Sequence, residues 1–252
     1  MKVKLYFGLL LIFLLGCVDS KKETPNAQNI VDKAIEVSGK KKLTYSKLKF
    51  RFRGISYTSE GKCNHYIYER QIIKKDTLIK DIYNTQKRLS RFVNDTLQTI
   101  ADSTAFKYAE SLNSINYFIQ LPYRLNDEAV KKTYIGVDTI KGKEYHNIKV
   151  AFSEDNGGTD FQDVYYYWFE KDSYKLDYLA YSFVVNGGGI RFREAINERV
   201  LQGIRFVDYK NYKPKTDKIT LDNISKAYEN GNLELLSEIK NKIESLDVQD
   251  EC

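Results

Sequence analysis

The sequence predicts an α+β protein: one large, curved antiparallel sheet with helices packed on its concave face. Alternation of apolar and polar residues with a period of two recurs along most of the chain. Two segments, Ala27 to Gly39 and Ser103 to Phe118, instead carry apolar residues at helical spacing. The strand–helix–strand alternation of a parallel sheet is missing, so strands must follow one another across turns.

Taken in order, Ile30, Ala34 and Val37, with Val31 and Ile35 beside them, give the first helix its stripe, and Gly39 suits the position just past its end. From Leu43 the period changes to two, and Leu48, Phe50 and Phe52 alternate with Lys and Arg. Glu60-Gly61-Lys62 reads as a turn and Cys63 to Ile73 as the next strand. Thr77 to Tyr83 and Leu89 to Val93 follow, then a turn at Asn94-Asp95. The second helix has Phe106, Ala109, Leu112 and Ile115 as its stripe, and Pro122 bars its continuation. Strands resume at Thr133 to Ile140 and Tyr145 to Phe152, joined by a Lys141-Gly142 turn. After a polar loop, Ser153 to Thr159, come Val164 to Phe169 and Leu176 to Val185. Beyond Gly187-Gly188-Gly189, Ile190 to Val200 and Ile204 to Tyr212 complete the set. Lys213-Pro214-Lys215 marks a boundary. In the tail, 216–252, a helix stripe (Leu233, Leu236, Ile239, Ile243, Leu246) and a strand face (Leu235, Ser237, Ile239, Asn241, Ile243) fit about equally well.

The N-terminus is expected to be a leader. Lys2 and Lys4 precede eleven apolar and aromatic residues, Leu5 to Leu15, with Gly8 among them. A bilayer span needs about 20 residues, whereas a signal peptide needs only such a run. The run ends in Leu14-Leu15-Gly16-Cys17, which resembles a bacterial lipobox. Residues 1–16 are therefore expected as a removed signal peptide. Residues 17–26 are expected as a lipidated Cys17 and a flexible tether, and 27–252 as one domain with 216–252 as a helix or strand appendage. Acyl chains on Cys17 would hold the protein to a membrane. The expected location is the cell envelope, at the outer membrane, on either its periplasmic or its surface face. Cys63 and Cys252 remain; an oxidising compartment allows a bridge, but the chain end favours a buried Cys63 and a loose terminal thiol.

Composition narrows the function. Net charge is +6, two of it from Lys2 and Lys4, too little and too dispersed for nucleic acid. Two His and three Cys leave little for metal or thiol chemistry, and neither a cofactor nor a metal site is expected. Asp155, Asp160 and Asp163 around Gly157-Gly158 match no calcium loop. No nucleophile or zinc-protease motif occurs. A non-catalytic monomer is expected.

The unusual numbers are 20 Tyr and 13 Phe against one Trp. They concentrate in Tyr165-Tyr166-Tyr167-Trp168-Phe169. On a strand, Tyr166 and Trp168 face one way and Tyr165, Tyr167 and Phe169 the other. Tyr178, Tyr181 and Phe183 extend this pattern on the next strand. Either the strand is covered on both sides, which the β-propensity of tyrosine favours, or one face lines a ligand groove, which amphipathic tyrosines suit. In Ile190 to Arg199, Arg191 and Arg193 share a face and Glu194 takes the other. These residues would hold a polar head group or pair with charges on neighbouring strands.

Several motifs are familiar as an ordered set: Leu121 to Asp127, Tyr134-Ile135-Gly136, Ile140 to His146, Asp163 to Phe169, Leu176 to Tyr181, Arg191 to Glu194 and Gly203 to Pro214. Over roughly residues 27–245 they resemble an uncharacterised lipoprotein family of Gram-negative bacteria. Its members are similar in architecture to the outer-membrane lipoprotein carriers and receptors LolA and LolB. That resemblance implies an incomplete β-barrel closed by helices over an apolar cavity, and a last strand at Leu233–Val248. Some relatives carry an aldolase label, which this chain does not fit: it lacks eight βα units, and no lysine stands out for a Schiff base. A lipid, acyl chain or lipoprotein is the ligand this implies. An envelope scaffold with a filled core is the alternative, and a hydrolase a further one.

Overall fold

The computed structural model describes residues 25–153, 162–184 and 187–251. The expected leader, Cys17, Asp155, Asp160 and Cys252 lie outside the described residues. Among those described, no helix is long and apolar enough to cross a membrane.

Helix α1 (Ala27–Ser38) begins where the Asn26 side chain accepts the Gln28 N–H at 2.8 Å. It ends at Gly39, whose φ of 63° is the left-handed cap. A Cβ there would also sit 2.0 Å from the Gly203 carbonyl oxygen, so both the dihedral and the close approach demand glycine. A 3-10 turn, Lys40–Tyr45, leads into the first strands.

Those strands are β1 (Ser46–Phe52), β2 (Ile55–Gly61), β3 (Tyr66–Lys74), β4 (Thr77–Asn84), β5 (Leu89–Val93) and β6 (Thr96–Gln98), paired as consecutive antiparallel hairpins. Helix α2 (Asp102–Gln120) crosses next. A second meander follows: β7 (Val130–Ile140), β8 (Lys143–Phe152), β9 (Val164–Glu170), β10 (Leu176–Phe183), β11 (Gly189–Leu201) and β12 (Ile204–Pro214). The tail supplies α3 (Ile224–Glu229), β13 (Leu233–Ile239) and β14 (Lys242–Val248).

The protein is thus α+β, but its strands form two seven-stranded antiparallel sheets, not the one sheet expected. β14 joins the first beside β1, and β13 joins the second beside β12. These two strands are consecutive in the chain yet lie at the edges of different sheets. The polar groups at the turn between them explain why. Asn241 donates its backbone N–H to Asp208 at 2.9 Å, and its carbonyl accepts from Arg199. Asp208 in turn accepts from Arg199 at 3.1 Å and from Asn197 at 3.2 Å, where β11 bulges. The turn's hydrogen bonds therefore go to the β11–β12 hairpin and not to a β13–β14 ladder.

The helices are also not confined to one face. α1 lays Ile30, Val31, Ala34 and Ile35 on Ile148, Val150, Tyr167, Phe169 and Leu179 of the second sheet. α2 lays Ala109, Leu112 and Ile119 on Leu48, Phe50, Tyr57 and Tyr68 of the first. α3 covers the opposite face of the second sheet, with Ile224 and Ala227 over Tyr166, Trp168, Tyr178 and Phe192. That sheet is buried on both sides, which is why β9 is aromatic on both.

Other expectations change. β2 replaces the expected turn at Gly61: its buried positions are Tyr57, Ser59 and Gly61, two of them small and polar or bare, so alternation is faint. Gly61 packs against the preceding turn, where a Cβ would lie 2.3 Å from the Leu43 carbonyl oxygen. Cys63 is not a buried strand residue. It is exposed, has a φ of 65° and is disulfide-bonded. Phe106, expected in the α2 stripe, is 53% exposed. The tail contributes an edge strand to each sheet.

A cleft walled by both sheets and the second helix

The C-terminal half of α2 separates two lobes of one cleft, which share Ser114, Phe118 and Tyr165. The first lobe, about 540 Å³, opens toward β3, β4 and the segment after α2. The second, about 400 Å³, opens toward β10, β11 and β12. Volumes of this order match small-ligand sites.

The first lobe is polar at its floor. Arg124, from the 3-10 turn Tyr123–Asn126, forms an ion pair with Asp127 and reaches the Tyr68 hydroxyl at 3.4 Å. Burial lifts the Asp127 carboxyl above the usual carboxylate range, although Arg124 opposes it. Burial likewise pushes the Tyr68 hydroxyl up to about 12, so it stays protonated and able to donate. The Tyr117 hydroxyl meets that of Tyr167 at 3.0 Å. This lobe can hydrogen-bond a polar group against aromatic walls.

The second lobe is aromatic and cationic. Tyr165 stacks on Tyr181 with centroids 5.2 Å apart, and Phe118 packs on Tyr181 at 5.8 Å. Arg193 lies 4.1 Å from the Phe118 centroid and gives a hydrogen bond to the Tyr181 hydroxyl at 2.9 Å. Arg191 lies 4.9 Å from the Phe183 centroid. Phe52, Ile115 and Ile119 complete the apolar wall.

Of the residues singled out in the sequence, Tyr165, Tyr181, Phe183, Arg191 and Arg193 come together around this lobe. The others do not. Tyr167 and Phe169 share the face of Tyr165 but are fully enclosed beneath α1. Tyr166, Trp168 and Tyr178 lie on the opposite face under α3. Glu194 is also on that side, paired with Lys141 at 2.5 Å and accepting from Tyr212 at 3.2 Å. Two carriers of the cleft went unread. Phe118 lies in the last turn of α2, off its main stripe, and Arg53 sits in the β1–β2 turn with a φ of 50°. The pair Tyr117-Phe118, unusual at a helix end, was the available signal.

Lys40 is buried, donates to the Ile119 carbonyl at 2.6 Å and lies 4.0 Å from the Phe206 centroid. Burial, then Arg205 and Arg199, hold its amine well below the ordinary lysine value. The void beside it is about 20 Å³, room for about one water and for no substrate. Among the described residues no group of three or more His, Cys, Asp or Glu is placed to hold a metal.

Comparison with known proteins bears on the family. The model of a family of unknown function, DUF6503, matches residues 4–241, and the chain belongs to that family. No curated protein matches the chain. Among solved structures it is similar to a LolA superfamily protein of Nitrosomonas europaea, at 10% identity and a TM-score of 0.49 over 91% of this chain and 96% of that one. It is also similar to a putative outer membrane lipoprotein-sorting protein domain of Vibrio parahaemolyticus, at 9% identity and a TM-score of 0.46, over 89% and 94% of the two chains. A DUF1329 family protein of Desulfovibrio piger has 10% identity and a TM-score of 0.43, over 89% and 94%.

Proposed function

We propose that this DUF6503 member is a non-catalytic envelope module that holds a hydrophobic or amphipathic molecule in the cleft between α2 and its two sheets. In this reading Cys17 carries the acyl anchor, the following residues are the tether, and the two sheets with α2 between them act as an incomplete barrel. The observation that carries it is the second lobe, about 400 Å³ of space walled by Phe52, Phe118, Tyr165, Tyr181 and Phe183. Such an aromatic surface left facing water is unfavourable by about 25 cal/mol per Å² of apolar area, and an apolar ligand would cover it. The first lobe adds hydrogen-bonding groups for a polar end.

Native mass spectrometry of the delipidated protein, re-exposed to an envelope lipid extract, tests the reading. The expected result is a discrete mass increase of one lipid. Protein that stays at its apo mass across lipid classes would end the proposal in favour of a scaffold role.

A further inference from the structure

The charge around the cleft is unevenly answered. Arg70 and Arg91 share Asp81, Arg124 meets Asp127, Arg199 meets Asp208, Arg205 meets Asp177, Arg51 meets Glu244 and Arg88 meets Asp102. The remaining arginines, Arg53, Arg191 and Arg193, meet no carboxylate among the described residues, and all three line the second lobe. Asp163 also lines it and is already engaged. Arg191 and Arg193 are half-buried beside aromatic rings, where a counter-charge is stronger than in open water. One buried donor of Arg193, Nε, has no hydrogen-bond partner among the described residues. The rings of Phe118 and Tyr181 and the Tyr181 hydroxyl orient Arg193 without neutralising it. Arg191, two residues along the same strand face, gives its one described hydrogen bond to the Ile190 carbonyl at 2.9 Å.

We propose that the second lobe is a head-group site for an anion, a carboxylate or a phosphate carried on an apolar tail, received by Arg191 and Arg193 with Arg53 at the rim. This rests on the reading of the cleft as a ligand site and specifies the ligand's chemistry. The planar fork of arginine suits both anions. The aromatic wall beside it takes the first part of the tail.

Isothermal titration of the full chain with laurate, dodecyl phosphate, dodecanol and inorganic phosphate tests it. Laurate or dodecyl phosphate is expected to bind at least about tenfold tighter than dodecanol at low salt, an advantage that shrinks as salt rises. The preferred acid distinguishes a fatty-acid from a phospholipid source. Arg191→Met and Arg193→Met are each expected to remove most of that advantage of the acids over dodecanol, with Arg193→Lys intermediate. Arg193→Met also loses the Tyr181 contact, so Arg191→Met carries the test if the former fails to fold. Dodecanol binding as tightly as the acids overturns the head-group site while the cleft reading stands. Inorganic phosphate binding as tightly as dodecyl phosphate overturns the amphiphile. No binding of any dodecyl compound overturns both readings.

Discussion

Tyr165 and Tyr166 are neighbours in the chain with opposite duties. The first faces the cleft, and the second gives its hydroxyl to Asp222 at 2.5 Å on the far side of the sheet. Strand alternation made that division legible, down to which rings share a face. Which face opens onto space was not legible, because the answer depends on α2, a remote segment. His146 offers a test at this scale. Burial, then the nearby Lys171, hold its imidazole below the ordinary value of 6.5. The unfolded chain thus takes up the proton more readily, so stability is complete above that ordinary value. It falls as the pH drops through it toward the lowered folded-state value. Urea midpoints at pH 7.5 and 5.0 should therefore show a larger loss on acidification in wild type than in His146→Gln. Equal losses would show that His146 does not titrate differently on folding. A second feature of this size escaped the sequence altogether. Asp81, wholly buried, is clasped by Arg70 and Arg91 across three strands, with the Tyr108 ring of α2 3.8 Å from Arg91. Burial alone would raise that carboxyl; the hydrogen bonds from Arg91 and Arg70 outweigh it and hold it below its usual range.

Elements with strong periodicity were read nearly to their ends. β9 shows this, and so does α1, where Ile30, Val31, Ala34 and Ile35 are buried although Val37, expected in the stripe, is exposed. β2 and α3 were not seen. β2 buries serine and glycine, which carry no hydrophobic signal. α3 is six residues long, and most of its order comes from what it caps. Its attachment is specific. Asp138 of β7 accepts from the Trp168 indole at 2.6 Å, from Asn147 at 3.1 Å and from Ser225 of α3 at 3.2 Å. A buried indole N–H without a partner is costly, so Asp138→Ala should destabilise by about 2 kcal/mol or more in urea unfolding. Asp138→Asn, which keeps an acceptor, should recover much of that. If both variants unfold like wild type, the network contributes nothing net.

Across the whole molecule, the class α+β and the antiparallel meander were readable from local pattern, but the division into two sheets was not. It arises from long-range hydrogen bonds at Asn241 that no local window contains. Because the tail caps one sheet face and edges both sheets, a chain ending at Lys215 should lose its near-UV circular dichroism and expose dye-binding surface. Retention of the wild-type near-UV spectrum would show that the tail is dispensable. One further consequence concerns the Asp208–Arg199–Asn241 knot. Asn241 and Ile239 also form part of the second lobe's wall, so the place where the two sheets part is the back of the cleft. A molecule seated there would touch the short turn that joins β13 and β14, edge strands of the two different sheets. Occupancy and the alignment of the sheets would then be thermodynamically linked. Opening the knot would weaken binding by the same factor by which the bound molecule would tighten it.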